Sequence, residues 1–293
     1  MVHFRSFVIP SGALLVALTL ASPARAESPG VGLGAPPSTG LSVSDVAIPW
    51  SAVGFSPAAT DSAAYGPDLL GLGPNGAWAL WDPVNTQIIG SVRADTPAAA
   101  GGFAAEVDHA DGLAWTTDGE LIVMDESARM LTEWRVTGSV AERVASLPMS
   151  RLCPVGVRLV VDGDEVDGID AFGNVRPLAD VSHGLQPVAG PHLRPPAHDV
   201  RVLNGVVTVD GAVVAAPSDA LAGRAYGEWL YVEAGVRGSV QRRVAISLGS
   251  GRQVVLAVGS VYRPAAGIAS GPDGTFGYLS PSTDALHLVR VSP

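Results

Sequence analysis

The chain has 293 residues and a net charge of −10, with 28 acidic residues against 18 basic ones. Every basic residue is Arg, which excludes mechanisms that form a Schiff base on Lys, and the acidic balance argues against the basic footprint that a nucleic acid requires. A single cysteine, Cys153, leaves no internal disulfide, so the core alone must hold the fold.

In chain order, the first element is an address. Arg5 supplies a positive n-region, Ala13 to Leu20 an apolar h-region, and Ala24-Arg25-Ala26 a small-x-small cleavage site. Together they predict a secretory signal peptide cut after Ala26, and a periplasmic or extracellular location. The apolar run is too short to span ~30 Å of hydrocarbon comfortably, and no later run is long enough, so no membrane insertion is expected. Cleavage leaves 267 residues, 26 fewer than the full chain, and a net charge of −12 once Arg5 and Arg25 are gone. Residues 27–42 are rich in Gly, Pro and Ser and read as a flexible leader. Residues 43–293 read as one β domain.

Strand signals then dominate: β-branched and aromatic runs bounded by Gly, Asn, Asp and Pro. One phrase recurs. It runs Gly112-Leu113-Ala114, then Asp118-Gly119, then Leu121-Ile122-Val123-Met124-Asp125. It returns as Gly267-Ile268-Ala269, Asp273-Gly274 and Phe276 to Ser280, and more loosely as Gly71-Leu72, Asn75-Gly76 and Ala77 to Asp82. Each copy is a strand, a turn needing positive φ, and a second strand. Further hairpins are signalled at Asp162-Gly163, Asn204-Gly205 and Asp210-Gly211. Gly76 and Gly119 are 43 residues apart, and three more units fit between Gly119 and Gly274, a mean near 40. That period matches a blade of ~40–45 residues. The expected fold is an all-β β-propeller of about six blades, each a four-stranded antiparallel sheet, near 43–95, 103–148, 152–183, 198–218, 224–260 and 262–292. The fourth blade is short, so outer strands are missing or shared. Ser42 to Ile48 is placed to pair with the last blade and close the ring. An irregular β-sandwich is the alternative.

The segment from Asp180 to Asp199 carries four prolines and reads as a long inter-blade loop without a strand. It also holds His183, His192 and His198, half of the six histidines. Three imidazoles can bind zinc or copper, or can simply be solvated loop residues. The acidic stretch Asp162-Gly163-Asp164-Glu165, with Asp167 and Asp170, lacks the ordered ligands of an EF-hand and reads as a solvated turn. Trp78, Trp81, Trp115, Trp134 and Trp229 sit in strand patterns and are expected to pack between blades.

The stretch from His109 through Asp111-Gly112-Leu113 and Asp118-Gly119 to Asp125-Glu126-Ser127 resembles the blade signature of the gluconolactonase/senescence-marker family of six-bladed propellers, and of NHL-like propellers more broadly. In the lactonases, an Asn and an Asp from such elements help to hold a divalent cation in the central channel. The resemblance puts Asp111 in the place of that Asn and Asp125 in the place of that Asp. It implies calcium as cofactor, Asp111 and Asp125 as ligands, and His109 as an acid–base group. A hard cation there would polarise a lactone carbonyl. The pattern departs elsewhere: Ala266 and Ser280 occupy the matching positions of the last blade, and the family's early metal-binding Glu has no counterpart. In propellers without activity the same phrase only builds structure, Asp-Gly making the turn and the Asp at position 125 capping a hairpin.

No nucleophile elbow, P-loop, dinucleotide fingerprint or HExxH motif occurs. The expectation is therefore a monomeric, exported binding or scaffolding module for a protein or small-molecule partner. The alternative is a calcium-dependent lactonase or esterase with its site at the central channel. The two differ in what they require: converging ligands on the axis for the hydrolase, an apolar patch on a face or loop for the binding module.

Overall fold

The computed structural model describes residues 42–55, 66–93, 102–149, 158–169, 174–188, 198–236, 239–256 and 267–292, all within the unit 39–293. The predicted signal sequence, nearly all of the predicted leader, Cys153, Asp170, His192 and Ala266 lie outside the described residues.

Among the described residues twenty-three strands form six antiparallel sheets, the blades of a β-propeller. The first strand, β1 (Ser42–Pro49), belongs to the last blade. Blade 1 holds β2 (Leu69–Leu72), β3 (Trp78–Asp82), β4 (Gln87–Ser91) and β5 (Phe103–Glu106). Blade 2 holds β6 (Gly112–Trp115), β7 (Glu120–Asp125), β8 (Met130–Thr137) and β9 (Val140–Pro148). Blade 3 holds β10 (Arg158–Asp162), β11 (Glu165–Ile169), β12 (Val175–Asp180) and β13 (Gln186–Pro187). Blade 4 has three strands among the described residues, β14 (Val200–Leu203), β15 (Val206–Val209) and β16 (Ala212–Val214). Blade 5 holds β17 (Ala220–Tyr226), β18 (Trp229–Val236), β19 (Ser239–Ser247) and β20 (Gln253–Leu256). Blade 6 holds β21 (Ile268–Ser270), β22 (Phe276–Pro281) and β23 (Ala285–Ser292), with β1 paired to β23 from Ser42↔Ser292 to Pro49↔Ala285.

Two expectations need correction. The first blade spans 69–106, not 43–95. Phe103–Glu106, placed at the start of blade 2, is instead the outer strand of blade 1, paired with β4. The Asp180–Asp199 segment is not free of strand, because Gln186–Pro187 pairs with Ala179 and Asp180 as the fourth strand of blade 3.

The recurring phrase is the inner strand, turn and second strand of blades 1, 2 and 6. All three turns close with the same backbone bonds: Gly73 N to Ala77 O, Thr116 N to Glu120 O, and Gly271 N to Thr275 O, at 2.7–2.8 Å. Gly76, Gly119 and Gly274 stand at φ +75°, +86° and +77°, which explains the repeated glycine.

A propeller blade is covered on both faces, so its second strand is apolar throughout, and alternation decides which neighbour each side chain meets. In β3, Trp78 and Leu80 enter the seam with blade 6, whereas Ala79 and Trp81 enter the seam with blade 2. Phe103, Leu113 and Trp115 complete the latter. Met124, Leu131, Leu159 and Val166 fill the seam of blades 2 and 3. Val207, Val209, Leu230 and Ile246 fill that of blades 4 and 5; Tyr226, Trp229, Phe276 and Tyr278 fill that of blades 5 and 6. Each large side chain so buried contributes ~1.5–3 kcal/mol. The expected inter-blade role of the tryptophans is met, and Trp229 Nε1 also donates to Gly274 O at 2.7 Å, tying blade 5 to the turn of blade 6. The close fit shows at Gly90, where a Cβ would lie 2.3 Å from Trp78 O.

Candidate functional site

Inner strands β21, β2, β6 and β10 lie side by side. The residues that precede β2 and β6 are Asp68 and Asp111, separated by the same 43 positions as Gly76 and Gly119. Register thus delivers two carboxyl groups to the starts of adjacent inner strands. Asp111 is held from both sides: its Oδ1 lies 3.0 Å from His109 Nε2, and its Oδ2 accepts the Glu126 N–H at 2.7 Å. Its own N–H donates to Met124 O at 2.8 Å. The His109 ring is half exposed and meets Trp81 edge-on at 6.1 Å. Asp68 completes the group. Burial pushes its carboxyl above the ordinary carboxylate range, its own backbone N–H and the nearby His109 pull it down, and Asp111 pushes it up. Its Oδ1 is enclosed and has no hydrogen-bond partner among the described residues. Sequence reasoning missed Asp68, although the 43-residue offset from Asp111 points to it.

Asp125 faces elsewhere. Its Oδ1 accepts the Ser127 hydroxyl at 2.7 Å and the Ala128 N–H at 2.8 Å, capping the β7–β8 turn. Asp82, 43 positions earlier, does the same for β3–β4, accepting from Val84 N at 3.2 Å. It also accepts from Gly54 N and Asn85 Nδ2, both at 2.8 Å. The structure therefore joins His109 to Asp111, adds Asp68, and engages Asp125 in its own turn.

Calcium needs ~6–8 oxygen ligands. Both oxygens of Asp111 are already engaged, and Asp125 turns to its hairpin. Among the described residues no group of three or more His, Cys, Asp or Glu side chains could hold a metal ion. The described residues do not fit a calcium site. The histidine segment is likewise divided. His198 Nδ1 lies 2.7 Å from Asp210 Oδ2, while Asp210 Oδ1 accepts Asp199 N at 2.8 Å, which fastens the start of β14 to the β15–β16 turn. The hydrogen bond from His198 and that from the Asp199 N–H hold the Asp210 carboxyl below its ordinary range. His183 sits in the turn between β12 and β13. The acidic stretch forms the β10–β11 hairpin, with Gly163 at φ +60°.

A second surface stands on blade 4. Alternation sends Val200, Val202, Val207, Val209 and Val214 toward blade 5. The opposite side chains, Leu203, Val206 and Val213, are 73%, 48% and 73% exposed. Among the described residues β16 pairs with β15 on one edge only, where the other five blades carry a fourth strand. Leu203 lies opposite Val206, and Thr208 opposite Val213, so the exposed apolar groups share one face. No described helix is long and apolar enough to cross a membrane.

No protein-family model and no curated protein matches the chain. Solved structures do resemble it. A glutaminyl cyclase of Myxococcus xanthus is 15% identical over 85% of this chain and 97% of its own, with a TM-score of 0.40. YCF48 bound to a D1 peptide is 10% identical over 86% and 95%, with a TM-score of 0.45. A gluconolactonase of Xanthomonas campestris is 12% identical over 84% and 97%, with a TM-score of 0.40. These values are too low to carry an activity or a ligand to this chain.

Proposed function

We propose that the protein is an exported binding module that takes an extended segment of a partner protein on blade 4. The observation that carries this reading is the exposed apolar face of Leu203, Val206 and Val213 beside strand β16, which among the described residues is paired on one edge. An extended peptide laid along β16 gains main-chain hydrogen bonds from the edge and side-chain burial from that face. The fold already accepts an outer strand from a remote segment, since β1 fills that place in blade 6. Contiguous exposed apolar groups commonly mark such contact surfaces.

A photo-reactive residue at position 213, introduced into the full chain in its native extract, tests the reading. A discrete adduct is expected, and it is lost when Leu203 and Val206 are both replaced by Asp. Labelling no different from that of the same probe at position 140, an exposed site on blade 2, overturns it.

A further inference from the structure

The free edge of blade 4 is flanked by an exposed apolar side chain that belongs to blade 5. On β20 the side chains alternate: Val254 and Leu256 pack toward blade 6, so Gln253 and Val255 face blade 4. The register agrees, because Gln253 and Val255 stand opposite Ile246 and Val244, both buried against blade 4. Gln253 reaches across and donates its Nε2 to Ala215 O, just past the end of β16, at 2.6 Å. β16 and β19 are the third strands of their meanders and run alike, so β20 is antiparallel to both. From Gln253 it runs back alongside Val213, and two residues on, about 7 Å, stands Val255. Val255 is 71% exposed, whereas its cross-strand neighbour Val244 is 2% exposed.

The backbone of β16 is aimed at the same place. The Asp210-Gly211 turn, at φ +52° and +81°, closes on the pair Val209 and Ala212. The next pair is Thr208 with Val213, so Val213 turns its N–H and C=O away from β15 and toward the free edge. Its side chain lies on the face away from blade 5. Blade 1 shows what fills this place elsewhere. Its fourth strand β5 sends Phe103 into the seam with blade 2, buries Ala105, and leaves Ala104 and Glu106 exposed. The third-strand residue opposite Ala104 is Ile89, already buried against blade 6. In blade 4 the third-strand residue on that side, Val213, is exposed. The slot beside β16 therefore has an apolar wall on each side: Val213 on one face and Val255 on the other.

We propose, building on the reading that blade 4 takes an extended partner, that the ligand is a run of at least three consecutive apolar residues. The middle residue exchanges main-chain hydrogen bonds with Val213 and sets its side chain beside it. Its two neighbours turn to the opposite face, where one covers Val255. A strand with apolar residues only at alternate positions, the pattern of β1 and β5, fits one wall and sets polar groups against the other. A charge at any of the three positions is taken out of water against Val with nothing to pair it.

The test uses two labelled peptides of identical composition, Lys-Ser-Val-Ile-Val-Ser-Lys and Lys-Val-Ser-Ile-Ser-Val-Lys, and fluorescence anisotropy with the full chain. The first is expected to bind at least ~10-fold more tightly than the second. Val255→Asp, at a site exposed enough to leave the fold intact, is expected to bring the first down to the affinity of the second. Equal affinities, no binding of either peptide, or an unchanged affinity in Val255→Asp overturns the proposal. The adduct at position 213 separates the two claims. If it forms in the native extract while the peptides fail, the blade 4 reading stands and the consecutive apolar ligand falls. If it does not form, the ligand falls with the reading.

Discussion

Blades 1 and 4 are built from similar apolar strands and end differently. In blade 1 the second strand carries Trp78 and Trp81 to opposite seams, Asp82 ties its hairpin to Gly54, and β5 covers the outer edge. In blade 4 the strands are mostly Val, one face packs on blade 5, and the other is left to solvent. The difference lies in side-chain reach. Aromatic groups bridge from sheet to sheet on both sides, whereas Val fills one seam and leaves the second face without a described partner. Completeness of a blade thus follows from the residues that cross its seams more than from strand propensity, which both blades have.

Substitutions on the two sides of this contrast measure it. The largest effect is expected at Trp115, buried between blades 1 and 2, where Trp115→Ala should cost ~3–5 kcal/mol in urea unfolding. Next comes Asp82→Ala, which leaves the Gly54 N–H and the Asn85 amide without their acceptor; a loss of ~2–3 kcal/mol is expected. Its counterpart Asp125→Ala, at the more exposed turn of blade 2, should cost only ~1 kcal/mol by the same measurement. Equal losses for the two would show that burial of the cap is irrelevant. The smallest effect is expected on blade 4: Val213→Asp should change stability by less than ~0.5 kcal/mol while reducing binding of a hydrophobic dye. A large loss of stability there would mean that the face is part of the core.

The regions also differ in how well they could be read. The turns at Asn75-Gly76, Asp118-Gly119 and Asp273-Gly274 were legible because positive φ restricts the residue type, and they gave the period and the blade number. The outer strands were not. Phe-Ala-Ala-Glu at 103–106 has a weak pattern and lies close before the phrase at 109–115, so its sequence points to blade 2 although it pairs with β4 of blade 1. Gln186–Pro187 is two residues with a proline, which nothing local marks as strand. Of the candidate site, the pairing of His109 with Asp111 is visible as proximity in sequence. Asp68 required the internal repeat to be applied backwards by 43 positions. Buried Glu133 of β8 was invisible: on a strand that alternates buried and exposed residues, a Glu reads as solvent-facing, and only the neighbouring blade, whose Leu185 N–H it accepts at 3.4 Å, makes it interior.

The pairing of β1 with β23 has a consequence for the order in which the molecule can be completed. Ser42 and Ser292 are partners although almost the whole domain lies between them. A ribosome delivers β1 before β23, so β1 stays without its neighbour until every blade between them has been made. Ile48 and Val46, buried in the finished ring, remain uncovered through that interval. The slowest folding step should then be the meeting of the two ends, and a circular permutant that places Ser42–Pro49 directly after Ser292 should fold faster than the natural order of the chain.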